Sequence, residues 1–104
     1  MNTPTPTATT DSLTTATLAQ LGQALGEAAA NRLDQIERLP LAEDDQVAAV
    51  QRSALRQTLG EITAAQQRIA DGTFGRCTSC GEPISLERLE FRPWSATCVA
   101  CAGR

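Results

Sequence analysis

The chain has 104 residues and a formal net charge of −3, and its nine basic residues are all arginines scattered along the sequence. Binding to nucleic-acid phosphates needs clustered positive charge, so we expect no direct sequence-specific DNA binding. No stretch approaches the roughly 20 apolar residues of a membrane span and the N-terminus lacks a secretory signal, so we expect a cytoplasmic protein with no membrane contact.

Bulky core residues are scarce, with two Phe, one Trp and no Tyr. The apolar fraction comes mostly from Ala and Leu, a composition that favours helices over a sandwich or a barrel. A domain of this size buries little apolar surface without a metal, a disulfide or a partner. We therefore predict a mainly α protein that needs one of these supports.

The first part of the chain predicts a leader and a long helix. Residues 1–10 are rich in Thr and Pro, and we predict that they form a disordered leader. Asp11 or Ser12 suits the N-cap of a helix that Pro40 ends. Apolar residues recur along this helix at about 3.6 residues. They are Leu18, Leu21, Leu25, Ala29, Leu33 or its neighbours, Ile36 and Leu39.

A second long helix follows a turn at about residues 40–45. The acids Glu43, Asp44 and Asp45 supply an N-cap and a charge that favours a helix N-terminus. Gly72 suits a left-handed C-cap at the other end. The apolar stripe between them is Val47, Val50, Ala54 or Leu55, Leu59, Ile62, Ala65 and Ile69. Two such helices joined by a short turn predict a long antiparallel helical hairpin over residues 11–71, with an acidic tip.

Four cysteines follow the hairpin as two Cys-x-x-Cys pairs with seventeen residues between them. They are Cys77, Cys80, Cys98 and Cys101. Each pair presents two thiolates to one side of an ion, and the long spacing lets the second pair fold back opposite the first. Gly81 suits a positive φ that turns backbone amides toward sulfur. We predict a small C-terminal four-cysteine zinc finger over residues 72–104, and buried or disulfide-bonded cysteines without metal, or a redox dithiol, are the alternatives.

The predicted metal is one structural Zn²⁺ per chain. Four thiolates leave no open coordination position and the chain has no His, so we predict neither catalytic zinc nor an enzyme. Arg76 and either Arg88 or Arg92 would reduce the charge on the sulfur atoms. Alternatively, Arg88 and Arg92 are exposed finger residues that bond local carbonyls and sulfur, or they contact a partner.

Trp94 is expected to pack over the base of the hairpin. A role for this side chain in binding a partner is the alternative. Its expected neighbours in a small core are Phe74, Ile84, Leu86 and Leu89.

The C-terminal third of the chain carries a set of short motifs: Gly-Thr-Phe-Gly before the first cysteine, Cys-Gly-Glu-Pro-Ile, Glu-Arg-Leu, Arg92-Pro93 and the last Cys-x-x-Cys. With these motifs, this part of the chain resembles the DksA/TraR family of bacterial transcription regulators. The resemblance implies a regulator that binds RNA polymerase rather than DNA. It would insert the hairpin through the secondary channel and place its acidic tip near the active site.

The family's tip motif, Asp-x-x-Asp-x-Ala, falls on Glu43, Asp44, Asp45, Gln46, Val47 and Ala48. Glu43 and Ala48 match it in kind, whereas Gln46 stands where the family has its second acid. If this turn is helical, an aspartate one residue earlier points about 100° away around the helix, and Asp45 then does not simply replace that acid. A solvated, helix-capping turn is the alternative to a functional tip.

We carry three hypotheses on function. The first is a non-enzymatic regulator that binds RNA polymerase through the hairpin. The second is a zinc-stabilised interaction or stress-associated protein without polymerase regulatory activity. The third is a thiol redox enzyme or sensor, which needs exposed and reactive cysteines.

Overall fold

The computed structural model describes residues 13–41 and 44–102. The predicted leader, both proposed N-caps of the first helix and Glu43 of the tip lie outside these residues. The chain forms helix α1 at Thr15–Arg38, α2 at Gln46–Asp71, α3 at Leu86–Phe91 and α4 at Val99–Ala102. The long helices α1 and α2 pack along one another as the predicted hairpin. Residues 72–102, which we call the finger, hold the short helices and all four cysteines.

Helix α1 begins later than predicted, because Thr14 is its N-cap. The Thr14 hydroxyl accepts a hydrogen bond from the backbone N–H of Thr17 at 3.0 Å. Asp, Ser and Thr are all good caps, so a run of them leaves the first turn undecided in sequence. The other end agrees with prediction. Leu39 has φ −76° and ψ 146°, the extended conformation that a following proline favours.

Helix α2 has the predicted kind of cap at each end. The Asp45 carboxylate accepts a hydrogen bond from the Ala48 N–H at 2.9 Å. Gly72 adopts φ 84°, and its N–H reaches the carbonyls of Arg68 and Ile69. The N–H groups of the next two residues also donate to the Arg68 carbonyl, so the chain turns sharply from the helix into the finger.

One apolar core joins the base of the hairpin to the finger. Its buried members are Leu21, Leu25, Ile62, Ala65, Phe74, Cys77, Ile84 and Leu89. Leu86 and Trp94 pack against it partly buried, so Trp94 and its predicted neighbours do gather at the hairpin base. The finger is therefore built onto the helices and does not hang from them by a linker.

The predicted apolar stripe of α2 is wrong at two positions near the hairpin tip, because Val47 is 68% exposed and Val50 69%. In α1, where the stripe takes Leu33 or one of its neighbours, Leu33 is 48% exposed and Arg32 is half-buried. Along α2, Ala48 and Ile62 are buried and Leu55 between them is half-buried, which is a spacing of seven residues. A seven-residue repeat is the spacing of paired helices, and the 3.6-residue repeat of a single helix drifts away from it over several turns.

In the parts of the chain that the structure describes, neither long helix has both the length and the apolar character that crossing a bilayer requires.

We predict that Leu25→Ala lowers the free energy of unfolding by about 2–5 kcal/mol, because it opens a cavity in a fully buried position. Leu33→Ala removes the same atoms from the same helix at an exposed position, so its effect should stay within about 0.5 kcal/mol. Urea denaturation of both variants at equal metal content measures the difference. Equal losses would contradict the described core.

We also predict opposite effects for two Gly→Ala changes. Gly72→Ala should destabilise the protein by about 1–2 kcal/mol, because an L-residue is strained at φ 84°. Gly26→Ala should stabilise it by about 1 kcal/mol, because it lies within α1 and its added methyl group would meet no atom within 4 Å. Thermal unfolding of the two variants beside the wild type tests the signs.

Candidate metal centre

The four cysteines come together at one point of the finger. Cys77 and Cys80 lie in the turn that opens the finger, Cys98 precedes α4 and Cys101 lies within it. Their sulfur atoms all lie within 4.8 Å of one another. The Sγ atoms of Cys80 and Cys98 are 3.8 Å apart, and the four thiols are free of disulfide bonds.

A short backbone ribbon shapes the first cysteine pair. The N–H of Cys77 donates to the Glu82 carbonyl at 2.8 Å, and that of Ile84 donates to the Gly75 carbonyl at 2.7 Å. Gly81 takes the positive φ that the sequence predicts, 79°, and its N–H bonds the Cys77 carbonyl at 2.9 Å. The ribbon closes the turn and brings both thiols to one side of it.

The second pair is held by the first turn of α4 and by a link to the first pair. The Cys98 carbonyl accepts hydrogen bonds from the N–H groups of Cys101 and Ala102 at 3.1 and 2.9 Å. Thr78, which lies between the first two cysteines, donates from its N–H to the Ala96 carbonyl at 2.8 Å and from its hydroxyl at 3.2 Å. These bonds fold the second pair back against the first.

The electrostatics of Cys77 favour its thiolate. Burial of this side chain raises its pKa, but the backbone N–H groups of Cys98, Cys80 and Ser79 point at the sulfur and lower the pKa to about 6. The Ser79 N–H lies 3.4 Å from the Cys77 Sγ atom. The Ser79 and Cys80 amides belong to the turn that Gly81 closes, which agrees with the sequence-based prediction for this glycine.

The thiols of Cys80 and Cys101 resist ionisation beside this thiolate. Contacts with the sulfur atoms of Cys77, Cys80 and Cys98 raise the pKa of Cys101 to about 12. For Cys80, the Glu82 N–H lowers the pKa, but burial and the neighbouring sulfur atoms outweigh it and the pKa is raised. Four negative sulfur atoms this close together therefore require a cation between them.

The donor set suits one structural Zn²⁺ ion. Tetrahedral zinc with sulfur ligands at about 2.3 Å separates those sulfur atoms by about 3.8 Å, the distance seen between Cys80 and Cys98. Four sulfur ligands fill the coordination sphere, and a filled sphere is typical of zinc that supports a fold.

The finger arginines bond backbone carbonyls. The Arg88 Nε–H donates to the Thr97 carbonyl at 2.9 Å, and Arg76 donates to the Gly81 carbonyl at 3.2 Å. Arg92 lines an open cavity of about 320 Å³ together with Arg68 and Arg88. The hydrogen bond to Thr97 supports the alternative interpretation, in which Arg88 bonds a local carbonyl.

The predicted tip residues lie in three different settings. Asp44 is exposed, whereas Asp45 is half-buried and caps α2. Gln46 is exposed as the first residue of α2, and Ala48 is buried at 2% exposure. Only part of the predicted tip therefore faces solvent.

Two features of the structure escaped sequence reasoning. The guanidinium carbon of Arg32 lies 5.3 Å from the centre of the Trp94 ring, a contact between residues 62 positions apart that no local pattern signals. Near the tip, Leu41 is 85% exposed alongside Val47 and Val50. Apolar residues in a short turn would have been a signal for this surface.

Known proteins resemble this chain in both sequence and fold. Residues 72–104 match the prokaryotic DksA/TraR C4-type zinc finger. The RNA polymerase-binding transcription factor DksA of Escherichia coli K12 is 33% identical over 73 residues, which make up 70% of this chain and 48% of that protein. The chain thus spans about half the length of the curated relatives it matches.

Two solved structures extend the likeness along the whole hairpin. Transcription factor DksA2 from Pseudomonas aeruginosa superposes with a TM-score of 0.72 and 25% identity, covering 95% of this chain and 88% of that one. DnaK suppressor protein from Agrobacterium tumefaciens C58 has a TM-score of 0.58 and 31% identity, covering 88% of this chain and 94% of that one. Because this identity extends over nearly all of the A. tumefaciens protein and the finger match includes all four cysteines, the chain belongs to the DksA/TraR family of C4-type zinc-finger proteins.

Proposed function

We propose that this chain is a non-enzymatic, cytoplasmic transcription regulator that binds RNA polymerase by inserting its hairpin into the secondary channel. The observation that carries the proposal is a likeness that includes the hairpin as well as the finger. The E. coli relative is named an RNA polymerase-binding transcription factor, and the P. aeruginosa structure is that of a transcription factor.

The length and shape of the hairpin support this proposal. Helix α2 has 26 residues, which at 1.5 Å per residue span about 39 Å. The described residues extend over 65 × 30 × 21 Å, so the molecule is a narrow rod with the finger at one end. A rod of this shape suits a deep and narrow channel better than a flat surface.

The proposed contact surface is the tip, at Glu43, Asp44, Asp45, Gln46 and Ala48. Asp44 supplies an exposed carboxylate, and Gln46 supplies an amide in place of the family's second acid. Asp45 already accepts the Ala48 N–H, so part of its hydrogen-bonding capacity serves the helix. Ala48 would act by letting the two helices approach closely beneath the exposed residues.

We also propose Cys77, Cys80, Cys98 and Cys101 as the four ligands of the structural zinc. Their convergence from two separate segments supports this assignment. With no open coordination position, the metal would hold the finger together and take no part in a reaction.

A second candidate is an interaction protein without regulatory activity on polymerase. Leu41, Val47 and Val50 favour it, because an apolar tip suits an apolar partner surface as well as an acidic tip suits a basic one. The neutral Gln46 in the tip motif also favours this second candidate.

We predict that the double variant Asp44→Asn, Asp45→Asn weakens binding to bacterial RNA polymerase by about tenfold, equal to about 1.4 kcal/mol. Asparagine keeps the N-cap at position 45, so the helix should survive while two negative charges are lost. Affinity measurement and an in vitro transcription assay report the two effects.

The matched control is Glu27→Gln, Glu90→Gln, which removes two charges from exposed positions on α1 and α3. It should leave the affinity unchanged. A wild type that binds polymerase no better than an unrelated acidic protein would end the polymerase proposal. Tight binding without any effect on transcription would favour the second candidate.

For the metal, we predict one zinc per chain by elemental analysis. Cys101→Ser should lose the metal and the chemical-shift dispersion of the finger amides in NMR spectra, because zinc supplies much of the folding free energy of so small a module. Ser79→Ala, an exposed change between two proposed ligands, should keep both. A Cys101→Ser protein with full zinc content would refute the ligand assignment.

A further inference from the structure

Four consecutive residues of the finger each contact a different part of the molecule. We call residues 94–97 the connector. It lies between α3 and the second cysteine pair. Two of its residues bond within the finger and two contact the hairpin.

The C-terminal half of the connector is fixed to the finger. The Ala96 carbonyl accepts both hydrogen bonds from Thr78, in the turn of the first cysteine pair. The Thr97 carbonyl accepts the bond from Arg88 of α3. These bonds tie the connector to the rest of the finger.

The N-terminal half of the connector is held by both long helices. Arg32 of α1 stacks over the Trp94 ring, 5.3 Å from its centre. Arg68 of α2 donates from Nη2 to the Ser95 carbonyl at 3.4 Å. Ser95 itself is buried, and its hydroxyl donates to the Arg92 carbonyl at 2.8 Å, which holds the connector in a tight turn.

Polar bonds at the Gly72 cap join α2 to the first residues of the finger, where the chain itself passes from one to the other. Away from this junction, the finger and the hairpin share a buried apolar core. Phe74, Ile84 and Leu89 share a core with Leu25 and Ile62. Apolar burial is non-directional, so it favours contact without choosing one angle of rotation. A guanidinium over an aromatic face and a hydrogen bond to a carbonyl both depend on direction. The connector contacts therefore add an angular restraint at a point away from the Gly72 junction.

We propose that Arg32, acting through Trp94, is a positioning residue that fixes the orientation of the finger on the hairpin, with Arg68 restraining the adjacent carbonyl. A contact of this kind shifts an equilibrium by about 2- to 5-fold at an exposed site and by about 30-fold when desolvated. Trp94 is half-buried, which places this contact between the two cases. The proposal concerns the free protein and does not depend on polymerase binding.

Residual dipolar couplings from the zinc-loaded chain of 104 residues measure this orientation directly. In the wild type, the N–H couplings of α2 and of the finger should fit one alignment tensor. In Arg32→Ala, the finger should lose this common alignment, through a tilted or a smaller tensor of its own. Arg32→Lys keeps a cation over the ring and should restore part of it.

Two further variants separate positioning from general stability. Trp94→Leu keeps an apolar side chain but removes the aromatic face, so it should reproduce the loss, and adding Arg32→Ala to it should have no further effect. Arg56→Ala makes the same change at an exposed position of α2 and should retain the wild-type alignment. Zinc content is measured for every variant.

A common tensor in Arg32→Ala that matches the wild type would overturn the proposal. The proposal also fails if Arg56→Ala disturbs the alignment as much as Arg32→Ala does. Should Arg32→Ala fail to fold, the comparison of Arg32→Lys with Trp94→Leu decides, because the proposal requires a smaller loss in the lysine variant.

Discussion

The convergence of four sulfur atoms is the constraint on which the finger depends. Few large side chains support this module, and its fully buried ones are Ile84 and Leu89. Amide contacts favour one thiolate, at Cys77, and the crowded sulfur atoms oppose further ionisation. A dication removes that opposition and joins two segments that are separated by seventeen residues. The metal thus provides what the sparse apolar core does not.

The hairpin buries larger apolar side chains at its base than at its tip. Leu25 and Ile62 are fully buried at the base, where the finger completes the core. Toward the tip, Val47 and Val50 face solvent, and the buried residue of this part of α2 is the small Ala48. Small residues let the helices approach closely but bury little area, so the far end gains less from packing. The capping bond of Asp45 and the hydrogen bond from Arg52 to the Pro40 carbonyl are therefore important for the turn.

Family membership and local chemistry bear on different parts of the proposed function. The likeness to DksA proteins supports the proposals that RNA polymerase is the partner and that the hairpin binds it. The chain spans about half the length of its curated relatives. The tip departs from the family's motif at Gln46, so its charge is arranged differently. The connector meanwhile ties the finger to both helices. A rigid finger keeps any partner contact at that end in fixed register with a contact at the tip.

The sequence by itself determined the helical hairpin, the left-handed cap at Gly72 and the four-cysteine site, because each depends on local spacing or on one residue's backbone preference. Only the tertiary structure decided which residues lie between the two long helices near the tip and how the finger contacts those helices. A 3.6-residue repeat describes an isolated helix, whereas paired helices select Ala48 over Val47 and Val50. The stacking of Arg32 on Trp94 joins distant positions through the way the finger folds back onto α1. Such contacts produce no periodic pattern in the sequence, because they arise only when separate elements pack together.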